Sequence, residues 1–176
     1  MIESTPSTKI VRVSERGYNL PNTDYKLQGK SLMSDLATIT RFLHTVPMFE
    51  GLQDRQLQRL AKRFTERSYA AKETIVTQGT LGIGLFVIES GKAEAVRQHP
   101  DGSQHVVNTF GPTEFFGELS LLDDAPRTAS VVATEDSKCL VLTQLDFNSV
   151  LHEDADIPII MLKELAKRLR RTMESM

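Results

Sequence analysis

The apolar residues of this 176-residue chain change their period twice, and no other feature of the sequence limits the fold as much. Between about 70 and 143 they fall in short runs of period two, rich in Val, Ile, Phe and Thr and cut at intervals by Gly, Pro and Asp. Period two sends successive side chains to opposite faces, so the runs 73–78, 85–89, 92–97, 104–110, 128–134 and 137–143 read as strands. In His99-Pro100-Asp101-Gly102-Ser103 the proline presets φ and the glycine accepts a positive φ. This predicts a hairpin turn and makes the flanking strands antiparallel neighbours. Many short antiparallel strands in roughly 75 residues hide their edges best in a jelly roll. The predicted fold is therefore mainly β with flanking helices: an antiparallel β jelly-roll barrel between N-terminal and C-terminal helices.

Outside that stretch the period is helical. Leu32, Leu36, Ile39 and Leu43 recur at four, three and four residues, in a helix that Pro47 closes. Leu57, Leu60, Ala61 and Phe64 share the face of a second, with Asp54 in its first turn and Lys62, Arg63 and Arg67 toward its end. After the strands, Leu145, Phe147, Val150 and Leu151 predict a short helix. Pro158, acceptable in a first turn, then precedes Ile159, Leu162, Leu165, Ala166, Leu169 and Met173, an apolar stripe that must cover something. Lys163, Lys167, Arg168, Arg170 and Arg171 form its solvated face. Residues 1–30, polar and without a period, read as a flexible N-terminal tail. The predicted domain covers 31–176, with helices over 31–67, the β-barrel over 70–143 and C-terminal helices over 144–176.

Residues 115–131 carry the chemistry: Phe115-Phe116-Gly117-Glu118-Leu119-Ser120-Leu121-Leu122-Asp123-Asp124-Ala125-Pro126-Arg127-Thr128-Ala129-Ser130-Val131. Gly117 lets a backbone or ligand come close, and 119–122 can form one helical turn with free N–H groups at its start. Arg127 brings a planar, always-charged fork that suits a phosphate, between a rigid proline and a strand. An ionised Glu118 only accepts, so hydroxyls are its natural ligand partners. Together these describe a sugar-phosphate pocket. A Glu118–Arg127 salt bridge over a tight turn uses the same residues, and spacing leaves both open.

The stretch closely resembles the phosphate-binding cassette of the cyclic nucleotide-binding domain family, which reads Phe-Gly-Glu, a few mostly apolar residues, a variable turn, then Pro-Arg-Thr/Ala-Ala-Ser/Thr-Val. The likeness extends over about 42–171, because Gln78-Gly79, Leu85-Phe86-Val87-Ile88 and Ser90-Gly91-Lys92 stand where the family has early strands and a turn. It implies that Glu118 binds a ribose 2′-hydroxyl and Arg127 the cyclic phosphate. Backbone N–H groups of Gly117, Leu119, Ser120 and Ala129, with the Thr128 hydroxyl, would cradle the phosphate and ribose. The final helix resembles the family's lid, which makes Leu162, Leu165, Ala166 and Leu169 candidates to close over the purine and Arg168 a candidate to reach the base. The implied ligand is cyclic AMP, with cyclic GMP the alternative because a Thr follows the cassette Arg in many cyclic-GMP readers. The segment 79–84 lacks the acidic residues often found there in the family.

Other classes fit less well. The 21 Lys+Arg against 23 Asp+Glu give a net charge of −2, so no global basic field attracts nucleic acid. Only five residues follow Arg171, which argues against direct DNA binding. No run approaches the ~18 apolar residues of a membrane helix, and the N-terminus lacks a signal-peptide core, so the expectation is a cytoplasmic protein without membrane insertion. The single cysteine, Cys139, reads as a small buried hydrophobe. His99 and His105 flank a hairpin at the wrong spacing for a jelly-roll metal site, and His44 and His152 have no nucleophile beside them in sequence. Neither catalytic residues nor a metal nor a cofactor is expected, hence no enzyme. The expected role is a stand-alone receptor that signals to an unidentified effector protein. A homodimer is left open. The alternatives are a ligand-free interaction platform of the same fold, or a regulatory fragment related to a transcription regulator or channel.

Overall fold

The computed structural model describes residues 35–123 and 125–174. The predicted tail 1–30 lies outside the described residues, as do Leu32 and the predicted start of the first helix. In chain order the elements are α1 (Leu36–Leu43), a 3-10 turn (Pro47–Phe49), α2 (Asp54–Ala61), β1 (Thr65–Tyr69), β2 (Thr74–Val76), β3 (Gly84–Ser90), β4 (Ala93–Gln98), β5 (Gln104–Phe110), β6 (Phe115–Phe116), α3 (Glu118–Leu122), β7 (Ser130–Ala133), β8 (Ser137–Thr143), α4 (Gln144–Glu153) and α5 (Asp156–Glu174). The strands form two four-stranded antiparallel sheets, ordered β1-β8-β3-β6 and β2-β7-β4-β5, the double-sheet form of the expected jelly roll.

Alternation along β3 and β8 organises the core. Leu85, Val87, Leu140 and Leu142 point to one side of the first sheet and join α1, α2, α4, α5 and the 3-10 turn in one apolar cluster. Phe86, Ile88, Cys139 and Val141 point to the other and meet Ala93, Ala95, Phe110 and Val131 of the second sheet. β3 and β8 are covered on both faces, which is why they read as nearly unbroken apolar runs. The second sheet is covered on one face, so β4 and β7 alternate between buried and half-buried positions. Burial pushes the Cys139 thiol up to about 12, with Glu89 acting in the same direction, so it stays protonated and behaves as a hydrophobe.

Local chemistry fixes the element ends. The Asp35 carboxylate accepts from Thr38 N at 2.7 Å and caps α1, while Gln53 and Gln56 cap α2 reciprocally. Gln56 also donates to Asp154 at 3.1 Å, tying α2 to the end of α4. The hairpin forms as predicted, with His99 N donating to Ser103 O at 2.9 Å and Gly102 at φ +85°.

Several boundaries differ from the sequence reading. α1 ends at Leu43, and Pro47 opens the 3-10 turn rather than stopping the helix. The second helix ends at Ala61, and Thr65–Tyr69, expected inside helices to residue 67, is β1. All five β1 residues pair with β8, whose open edge offers hydrogen bonds that helical propensity cannot outweigh. The two-residue strand β6 was not foreseen; β3 holds it through Phe86 and Val87. The run 128–134 forms a strand only over Ser130–Ala133. No helix among the described residues is long and apolar enough to cross a membrane.

Leu140 is fully buried where β8 meets the helices. Leu140→Ala is expected to lower unfolding free energy by about 2–5 kcal/mol, read as a fall in urea midpoint at unchanged slope.

Candidate functional site

The chain leaves β6 at Phe116 and turns at Gly117, whose φ is +89°, a left-handed value that favours glycine. Space makes the same demand. A Cβ at 117 would stand 2.2 Å from Arg127 Nη1 and 2.7 Å from the Gly84 carbonyl oxygen. The backbone of Gly117 therefore lies directly against the Arg127 guanidinium, and α3 begins there with Glu118.

Arg127 is only 6% exposed. Its backbone is held on both sides by the turn after β2: Arg127 N donates to Thr80 O, and Gly79 N to Arg127 O, each at 2.8 Å. Nη2 donates to Gly84 O at 2.9 Å, and the guanidinium carbon lies 5.5 Å from the centre of the Phe86 ring. Phe86 is itself stacked on Phe116, centroids 5.1 Å apart and planes 3° apart, which fixes that cation–π surface. None of the ion pairs among the described residues neutralises Arg127. Burial pushes its guanidinium below its ordinary value, and the charge of Glu118 acts the other way. A guanidinium does not give up its proton, so the desolvation is borne as a cost that a bound anion would relieve.

Glu118, 9% exposed, pairs with Arg168 rather than with Arg127. Its Oε1 lies 3.1 Å from Arg168 Nη1 of α5, so the alternative Glu118–Arg127 bridge does not form. Arg168 is fixed by the Phe115 ring, 4.7 Å below its guanidinium carbon, and by the Phe115 carbonyl, to which Nη1 donates at 3.3 Å. It therefore reaches the cassette carboxylate, a partner its place in the sequence did not suggest.

Six of the seven cassette residues singled out from sequence, Gly117, Glu118, Leu119, Arg127, Thr128 and Ala129, line one open cavity of about 160 Å³. Ser120 belongs to α3 beside them. Of the lid candidates only Arg168 lines this cavity. Leu162 and Leu165 line a second one, while Ala166 and Leu169 line neither. The stripe expected to cover something is largely in solvent, with Leu162, Leu169 and Met173 about 60% exposed or more. Ile157, Met161 and Glu164 form the packed face instead. The sequence reading also missed Val76, Ala95, Val107, Asn108, Phe110, Phe116 and Val131 in the cavity wall, and the Gly84 carbonyl. Strand alternation flags most of these as inward, but not which inward residues border a void. Among the described residues no group of three or more His, Cys, Asp or Glu could hold a metal ion.

The model of the cyclic nucleotide-binding domain family matches residues 66–154. The cyclic AMP receptor protein of Thermus thermophilus is 36% identical over 124 residues, 70% of this chain and 57% of that protein. A cAMP-dependent protein kinase regulatory subunit of Aspergillus fumigatus is 37% identical over 116 residues, 66% of this chain and 27% of that one. The chain thus spans little more than half of the first relative and about a quarter of the second. Among solved structures, the N-terminal domain of a transcriptional regulator from Streptomyces coelicolor superposes with a TM-score of 0.67 at 34% identity, covering 77% of this chain and 96% of that domain.

Gly117→Ala is expected to cost about 1–3 kcal/mol of stability for the positive φ, plus the displacement of Arg127. Gly102→Ala, at a similar φ but with nothing within 4 Å of the added carbon, is the control. In paired urea titrations the substitution at 117 should be clearly the more damaging.

Proposed function

The chain belongs to the cyclic nucleotide-binding domain family, and from that premise we propose that it is a cyclic AMP receptor module, acting in the cytoplasm and passing its signal through α5 to a protein partner. One observation carries the reading. Arg127 is a buried cation without an ion-pair partner among the described residues, fixed at a cavity by Gly84, Phe86 and the bare backbone of Gly117. A cyclic phosphate supplies the missing charge. Glu118, in the same wall, accepts from the ribose 2′-hydroxyl, and the N–H groups of Gly117, Leu119, Ser120 and Ala129 with the Thr128 hydroxyl complete the cradle. The names of relatives in two branches, a bacterial receptor and a kinase regulatory subunit, support cyclic AMP over cyclic GMP. The proposed role is recognition rather than catalysis.

Arg168 is the connection to α5. A ribose hydroxyl arriving at Glu118 meets a carboxylate already engaged by the helix, so ligand and helix share one acceptor. Rearrangement there draws α5 over the pocket and takes the exposed stripe of Ile159, Leu162, Leu169 and Met173 toward the base and away from a partner. The energy comes from tighter binding to the closed form than to the open one.

Two measurements test this. Nucleotide-stripped protein is melted with cyclic AMP, cyclic GMP and 5′-AMP. Ligand at about 100 times its dissociation constant adds about 2.7 kcal/mol, a shift of several degrees at this size. Cyclic AMP should give the largest shift, and Arg127→Lys, which keeps the charge but loses the fork, should weaken it about tenfold or more. No shift with either cyclic nucleotide would overturn the receptor reading. Hydrogen exchange over 158–173 should slow with cyclic AMP, and exchange that is the same with and without it would overturn the α5 mechanism.

A further inference from the structure

The structure holds a second cavity, of about 210 Å³, between β3, α3, α4 and α5. Its wall is almost wholly apolar, built chiefly from Leu85, Leu122, Phe147, Leu151, Met161 and Leu165. Glu118 also borders it, but its carboxylate is held by Arg168. Leu122 and Leu162, 48% and 59% exposed, give it a way in from solvent.

We propose that this cavity binds a compact aromatic molecule of one or two rings, and that its occupation weakens nucleotide binding. Water gains little there, because a site without polar partners offers it no hydrogen bonds, and an engineered apolar cavity of about 150 Å³ stays dry and takes up benzene. The present cavity is somewhat larger, enough for a substituted ring and too small for a long acyl chain. Three of the lining residues favour an aromatic guest. Met48 and Met161 present polarizable thioethers and Phe147 a ring, and both make favourable contacts with an aromatic guest.

The coupling follows from shared walls. α3 sends Leu122 to this cavity and Leu119 to the nucleotide cavity, with Glu118 bordering both. α5 sends Leu162 and Leu165 to this one and Arg168 to the other. If α5 closes over a nucleotide, Leu162 and Leu165 must leave the apolar cavity, and a guest packed against them holds them back. This second part rests on the nucleotide reading above, whereas the binding itself does not.

The test uses toluene as the probe on the full, nucleotide-stripped chain. At about ten times its dissociation constant it should raise the melting temperature by about 3–6 °C. In methyl spectra the Met161 signal should move, while that of Met173, exposed on the same helix and outside the cavity, stays in place. Leu151→Phe, which fills the cavity from α4, should abolish both effects in a protein that still melts cooperatively. An unmoved Met161 signal in the wild-type chain overturns the site whatever the variant does. With toluene bound, cyclic AMP should bind about fivefold or more weakly, and by linkage the reverse should hold by the same factor. Unchanged or tighter cyclic AMP binding overturns the coupling. If cyclic AMP does not bind even without toluene, the nucleotide reading fails, and the Met161 signal still decides the cavity.

Discussion

A guanidinium removed from water with no ion-pair partner among the described residues is the constraint around which the rest of this structure is arranged. Arg127 is held by the carbonyl of Gly84, by the Phe86 ring stacked on Phe116, and by the turn at Gly79 and Thr80 that bonds its backbone on both sides. Gly84 and Phe86 belong to β3 of one sheet and the turn at Gly79 and Thr80 follows β2 of the other, so the cation has one position only when both sheets are formed. Gly117 completes the arrangement, since any side chain there would displace the guanidinium. Desolvation of such a group costs free energy that the apolar core must cover.

The core that bears this cost is continuous with the helices. Because β3 and β8 are buried on both faces, the strand that presents Gly84 and Phe86 to Arg127 also presents Leu85 and Val87 to the cluster containing α4 and α5. A shift at the cassette is therefore one strand thickness from the packing of the last helix. The polar route is shorter still, running from Glu118 to Arg168 in a single ion pair. Two physically different contacts, one by packing and one by charge, meet at α5.

α5 is also the element with most of its apolar surface uncommitted. Ile157 and Met161 anchor it, Leu165 is half-buried, and Ile159, Leu162, Leu169 and Met173 lie in solvent. Its packing is confined to one narrow strip beside an apolar cavity. That distinguishes it from α2, whose Leu57, Leu60 and Ala61 are all buried in the core.

Local pattern alone was enough for six of the eight strands, the hairpin at Gly102 and the presence, though not every boundary, of the helices around them. Alternation, turn chemistry and residue type act over a few neighbours, and the physics that reads them is equally short-ranged. What the tertiary structure decided depends on partners far away in sequence. Thr65–Tyr69 became a strand because β8 had a free edge, and Phe115–Phe116 another because β3 did. Glu118 chose Arg168, fifty residues on, over the nearer Arg127, because Gly117 and Gly84 hold the Arg127 fork on another course. The face of α5 was misread for a related reason: the stripe Ile159, Leu162, Leu165, Ala166, Leu169 and Met173 was expected to pack, and Ile157, Met161 and Glu164 pack instead. With Ile157, Ile159, Ile160, Met161, Leu162 and Leu165 on nearly all sides of its first turns, periodicity names no single inward face, and only the surface it packs against selects one.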